Sequence, residues 1–205
     1  MEYSKTVNKT TPVAGDVKYV DRNGDGVVDD NDRDIIGNPN PDFTYGFQTK
    51  VSWKSLSLSA SFNGVQGRDI LNVGNRYNNT PGTKSNNVTR KAFQNMWTDE
   101  NPSNLYPKST FVVQNMVMDR YVEDGSYLRC SDITLSYVLP AKWTNKIGIK
   151  NTSVYASVKN AFVITDYSGY DPEVNSFAFD GLRPGVDMNS YPTPRSFVFG
   201  LNLTF

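Results

Sequence analysis

The chain has 205 residues, and its 21 Lys plus Arg balance 21 Asp plus Glu. One sizeable core is therefore within reach, and a nucleic-acid partner, which would need a basic surface, is not expected. A lone Cys130 and the absence of histidine exclude a disulfide framework, a cysteine- or histidine-ligated zinc site and Ser-His or Cys-His catalysis. No apolar run reaches the ~20 residues of a membrane-spanning helix, which leaves open a β-barrel, whose strands give no hydropathy signal.

Residues 1–14 read as a polar lead-in, and 15–41 as an extracellular acidic, calcium-type loop that opens with a strand-like GDVKYV (15–20). Within DRNGDGVVDDND (21–32), the oxygen donors of an EF-hand-type loop fall on Asp21, Asn23, Asp25, the Val27 carbonyl, Asp29 and Asp32, with glycine at Gly26. Calcium is the expected ion. The alternative is an ion-free turn in which Asp and Asn bond their own backbone. The two prolines after the loop and the lack of flanking helices suit a static staple and not a calcium switch.

From residue 42 onward alternation takes over. In FTYGFQTKVSW (43–53), Phe43, Tyr45, Phe47, Thr49, Val51 and Trp53 share one face, because side chains switch sides at every strand residue. LSLSASFN (56–63) repeats the pattern after a tight hairpin at Lys54 and Ser55. Next come about sixty residues of loop, in which RKAFQNMW (90–97) permits a helical turn or two and Tyr77, Phe93, Trp97 and Tyr106 read as loop packing. YLRCSDITLSYVL (127–139) sets Ile133, Leu135 and Tyr137 against Asp132, Thr134 and Ser136, with Cys130 on the polar side. SVYASVKNAFVI (153–164) and RSFVFGLNLTF (195–205) follow, separated by a second long loop. The second face is rich in Ser, Gly, Asn and Gln, which suits the wet lumen of a wide barrel; a soluble sandwich also alternates. Short and long connections take turns, placing 64–126 and 165–194 outside the cell and Trp53, Tyr137 and Trp143 near the periplasmic interface. The expected fold is all-β, antiparallel, with barrel strands and their loops spanning 42–205. Acidic pairs such as Asp29/Asp30 and Glu123/Asp124 have no fixed separation, and no catalysis is expected of them.

Five stretches, GDVKYVDRNGDGVVDDNDRDIIGNPNPDFTYGF (15–47), MWTDENPSNLYPK (96–108), YVEDGSYLRCSDITLSYVLP (121–140), VKNAFVITDYSGYDPEV (158–174) and YPTPRSFVFGLNLTF (191–205), together resemble the C-terminal portion of SusC/RagA-type TonB-linked outer-membrane proteins of Bacteroidota. The resemblance implies the C-terminal segment of a transmembrane β-barrel of about 22 strands. It also implies an N-terminal plug, energy from TonB received through that N-terminal part, a SusD-like lipoprotein lid, and oligosaccharide or peptide cargo. The expected location is the bacterial outer membrane, in contact with its lipid. About five strands and no visible plug make the chain read as a fragment. A secreted soluble β-sandwich, binding carbohydrate or acting as an adhesin with a calcium-stapled loop, is the alternative.

Overall fold

The structure is a computed structural model that describes residues 6–7, 11–80, 87–109, 117–144, 149, 151–173 and 175–204. Phe205, the NKT triplet at 8–10 and part of the turn 140–152 lie outside them. By its internal contacts the chain divides into two compact units, residues 1–37 with 71–122 and residues 38–70 with 123–205.

In the first unit, β1 (Thr6–Val7) pairs parallel with β2 (Val27–Val28). Short helices α1 (Val73–Asn79) and α2 (Arg90–Asn95) are each capped by a side chain: Asn72 accepts from the Asn75 N–H and Thr89 from the Ala92 N–H. GDVKYV is not a regular strand. Only Val20 makes a bridge, and Gly15, at φ +86°, turns the chain beneath the Trp97 ring, where a strand could not continue.

The second unit carries a five-stranded antiparallel sheet, in the order β10-β8-β7-β4-β3. Its strands are β3 (Phe43–Trp53), β4 (Leu56–Gln66), β7 (Tyr127–Val138), β8 (Asn151–Thr165) and β10 (Ser196–Thr204). Three short strands, β5 (Asp69–Asn72), β6 (Val122–Asp124) and β9 (Val186–Asp187), pair in the order β6-β5-β9. α3 (Ala141–Thr144) follows β7. Lengths of 9 to 15 residues in the five-stranded sheet match what a tilted strand needs to cross hydrocarbon. The two-residue hairpin is closed by the Trp53–Leu56 pair, with Lys54 at φ +54°, as so tight a loop requires.

Register turns the alternation of each strand into rows across the whole sheet. Val51, Leu58, Leu135, Ala156 and Phe199 form one rung; Trp53, Leu56, Tyr137, Val154 and Leu201 form the next. Phe47 and Phe62 stack at 4.6 Å between ring centres higher on the same face. Among the described residues nothing covers this face: Phe47 is 51%, Leu58 46%, Leu135 45% and Phe199 79% exposed. Leaving such side chains in water forgoes about 1.5–3 kcal/mol each, and a folded domain has only about 5–15 kcal/mol in total. The face is therefore built for an apolar solvent and does not close over a second layer.

One sequence expectation fails here. Cys130 pairs with Phe62 and Phe162, so it belongs to the apolar face and is fully buried between those residues' strands. The cause is a bulge. The register shifts between Cys130 and Asp132, Ser131 is the extra residue, and face parity inverts across it.

Candidate functional site: the polar face and the loops it anchors

The opposite face is a hydrogen-bonded wall. Ser52 and Ser57 hydroxyls lie 2.9 Å apart, and Asn202 donates to Ser153 at 3.4 Å. Farther along, Asp132 accepts from Thr134 (2.8 Å) and Ser157 (2.7 Å) and pairs with Lys159 at 2.6 Å. Small hydroxyls and one screened ion pair suit a water-filled interior, where isolated charge would be costly in lipid and is cheap here.

At the loop end of the sheet, Arg129 projects on this same polar face, opposite Asn63. It is 5% exposed and bonds Asp171 (3% exposed) at 2.5 Å; its Nε lies 3.2 Å from Glu173. Glu173 also accepts from the Tyr127 hydroxyl (2.7 Å) and from Asn63 (3.0 Å). Arg68 donates to the Pro172 carbonyl at 2.8 Å. Burial alone would raise the Asp171 pKa, but the backbone N–H groups of Glu173 and Thr193, with the Arg129 charge, outweigh it and hold the carboxyl below its ordinary value. A second knot joins the Tyr167 hydroxyl to the buried Asp187 carboxylate at 2.7 Å, and burial with this carboxylate pushes the phenol well above the usual range. Arg129 and Asp171 escaped the sequence reading. The available signal was an arginine between Leu128 and Cys130 in an otherwise apolar strand start.

In the first unit, the acidic loop is closed by its own backbone. Asp21 accepts from the N–H of Gly24 (2.7 Å) and Gly26 (2.6 Å). Asn23 accepts from Asp25 N–H, and Asp25 from Val27 N–H. Asp29 accepts from Asn31 N–H, and Asp32 from Arg22 (2.7 Å) and Asp29 (2.9 Å) N–H. The Asp32 carboxyl is held below its ordinary pKa chiefly by the Asp29 N–H, then that of Arg22. Among the described residues no three acidic side chains are grouped as a metal cage. The donor set is nonetheless all oxygen, which suits a hard cation.

The same unit holds an open cleft of about 1680 Å³ with Tyr19, Trp97 and Tyr106 on its walls. Two of its charged groups are paired, Arg22 with Asp34 at 2.6 Å across the lining and Asp16 with the neighbouring Lys108 at 3.2 Å. Burial, with the Tyr121 hydroxyl nearby, pushes the Tyr19 phenol up to about 12. The Trp97 ring lies over Gly15 and its main-chain N–H bonds the Tyr106 carbonyl, so Trp97 packs within its loop. Phe93 is exposed on α2.

An antiparallel sheet with one face for lipid and one for water defines a piece of outer-membrane barrel wall. No family model matches the chain. Individual relatives do. TonB-dependent receptor P26 of Formosa agariphila is 35% identical over 201 residues, covering 94% of this chain and 20% of that protein. TonB-dependent receptor SusC of Bacteroides thetaiotaomicron is 34% identical over 194 residues, covering 91% of this chain and 17% of SusC. Among solved structures, the RagAB peptide importer in its open-open state superimposes with a TM-score of 0.74 at 29% identity, over 92% of this chain and 20% of that one. The closed-closed state gives 0.70 over 83% of this chain. The chain thus spans about a fifth of the length of the curated relatives it matches. Over nearly its whole length it matches one segment of SusC/RagA-type TonB-dependent receptors of the outer membrane.

Proposed function

We propose that this chain supplies barrel wall and extracellular loops to a TonB-dependent importer of oligosaccharides or peptides that works with a SusD-like lipoprotein lid. Coupling to TonB is assigned to receptor regions beyond the fifth that this chain matches. One observation carries the reading: a continuous apolar face left uncovered by protein, backed by a face of hydroxyls and amides. Support for cargo and lid comes from the similarity to SusC and to RagAB, the latter described as a peptide importer. The test has two parts. The receptor carrying this segment should follow the detergent-extracted outer membrane and co-purify with a lipoprotein, and its deletion should abolish uptake of labelled oligosaccharide or oligopeptide. Recovery in the soluble secreted fraction would favour the β-sandwich alternative.

For the acidic loop we propose a bound calcium ion held through Asp21, Asn23, Asp25, the Val27 carbonyl, Asp29 and Asp32. The all-oxygen donors support it, as do Gly24 and Gly26 at φ +78° and +86°, which let the chain curl around a centre. Calorimetry on the detergent-solubilised receptor should show calcium binding that Asp21→Ala removes. No heat at millimolar calcium would leave the closure of the loop to its backbone hydrogen bonds.

A further inference from the structure

We infer that residues 166–195 form a fixed strut at the channel mouth, and that Arg129 is the positioning residue holding it to the wall; this rests on the receptor reading above. A long connection of this kind is where motion is ordinarily expected, since mobile loops make few buried contacts. This one is seated in the opposite way. The Asp171 carboxylate joins three pieces: the Arg129 guanidinium of the wall at 2.5 Å, the outgoing limb through the Glu173 N–H at 2.9 Å, and the returning limb through the Thr193 N–H at 3.0 Å. Glu173 is held by Asn63, Tyr127 and Arg129, each on a barrel strand, and Arg68 holds the intervening Pro172 carbonyl. Deeper in the loop, Asp187 accepts from both the Tyr167 hydroxyl and the Ser190 N–H. At the base, Glu123 accepts from the Ser168 N–H and hydroxyl at 2.8 and 2.9 Å. Lifting the loop would break these buried, mutually supporting bonds together, a larger loss than that of one surface ion pair.

Hydrogen exchange on the full-length receptor in detergent tests this. The wild-type loop should be protected as strongly as β7 and β8, with and without cargo. Arg129→Met should raise exchange across 166–193 by at least about 100-fold while the strands stay protected, and Arg129→Lys should restore part of the protection. If Arg129→Met prevents folding, wild-type protection and a cross-link decide. Cysteines at Asn63 and Glu173, joined by a short bis-maleimide, should leave cargo uptake intact. A wild-type loop exchanging freely, an Arg129→Met receptor with unchanged protection, or uptake abolished by the cross-link would each overturn the inference. Failure of outer-membrane fractionation would instead strike the receptor reading itself.

Discussion

Gly200 faces Tyr155 across the β10–β8 ladder, and the tyrosine ring occupies the space where a Cβ would stand; Gly64 is covered in the same manner by Tyr45. A ring laid over a strand glycine restores packing that the missing side chain cannot give. Gly200→Val should therefore destabilise the receptor by about 1–3 kcal/mol, and Tyr155→Ala in the same chain should recover much of that, measured by urea unfolding in bilayers. Asp171 yields a second residue-scale prediction. Its carboxyl is held below the ordinary value, so its stabilising contribution is present above about pH 4 and is lost as pH falls through the depressed value. Protease cleavage within 175–190 should begin only in that acid range; cleavage already between about pH 5 and 7 would contradict the clasp. At this scale the sequence was least legible. Arg129 lies 42 residues before Asp171 and Asn63 lies 110 before Glu173, and only the register of β4 and β7 sets Asn63 and Arg129 side by side to meet them.

The element scale was the most legible, because a strand with different solvents on its two faces must alternate. The boundaries of β3 and the start of β4 were readable from residues 43–56 alone, and so was the two-residue hairpin between them. What alternation cannot report is an inserted residue, and Cys130 was misplaced for that reason. The short helix at Arg90–Asn95 was visible in its pattern, whereas GDVKYV looked extended because its composition is strand-like, although Gly15 and the loop contacts break it. The two faces make opposite predictions. Leu135→Arg puts a charge on the apolar side and should cost about 2–4 kcal/mol near the bilayer midplane, while Ser59→Arg, pointing into water, should cost much less. Comparable losses in a bilayer unfolding assay would mean the faces had been assigned wrongly.

At the scale of the whole molecule, β3 and β10 are the edges of the five-stranded sheet, and the smallest closed barrels need about eight strands. The 205-residue chain by itself should therefore associate in aqueous buffer. A well-behaved soluble monomer with native β circular dichroism, seen by ultracentrifugation, would contradict a wall built for lipid. Fold class was legible here because strand alternation, two solvents and alternating loop lengths agree. Cargo was not, since selectivity arises where many loops converge and this chain carries only some of them.

Ser131 has a reach beyond its own side chain. Were β7 to run through Ser131 as a regular strand, with no bulge, Arg129 would swing to the flank occupied by Ile133 and Leu135, and a guanidinium would be thrust among acyl chains. The bulge, and not the serine as such, thus decides on which side of the envelope's wall this buried cation resides; deleting Ser131 would leave Arg129, Cys130, Asp132 and Ile133 in unbroken alternation, so the shortened receptor should still assemble with its guanidinium on the wet side.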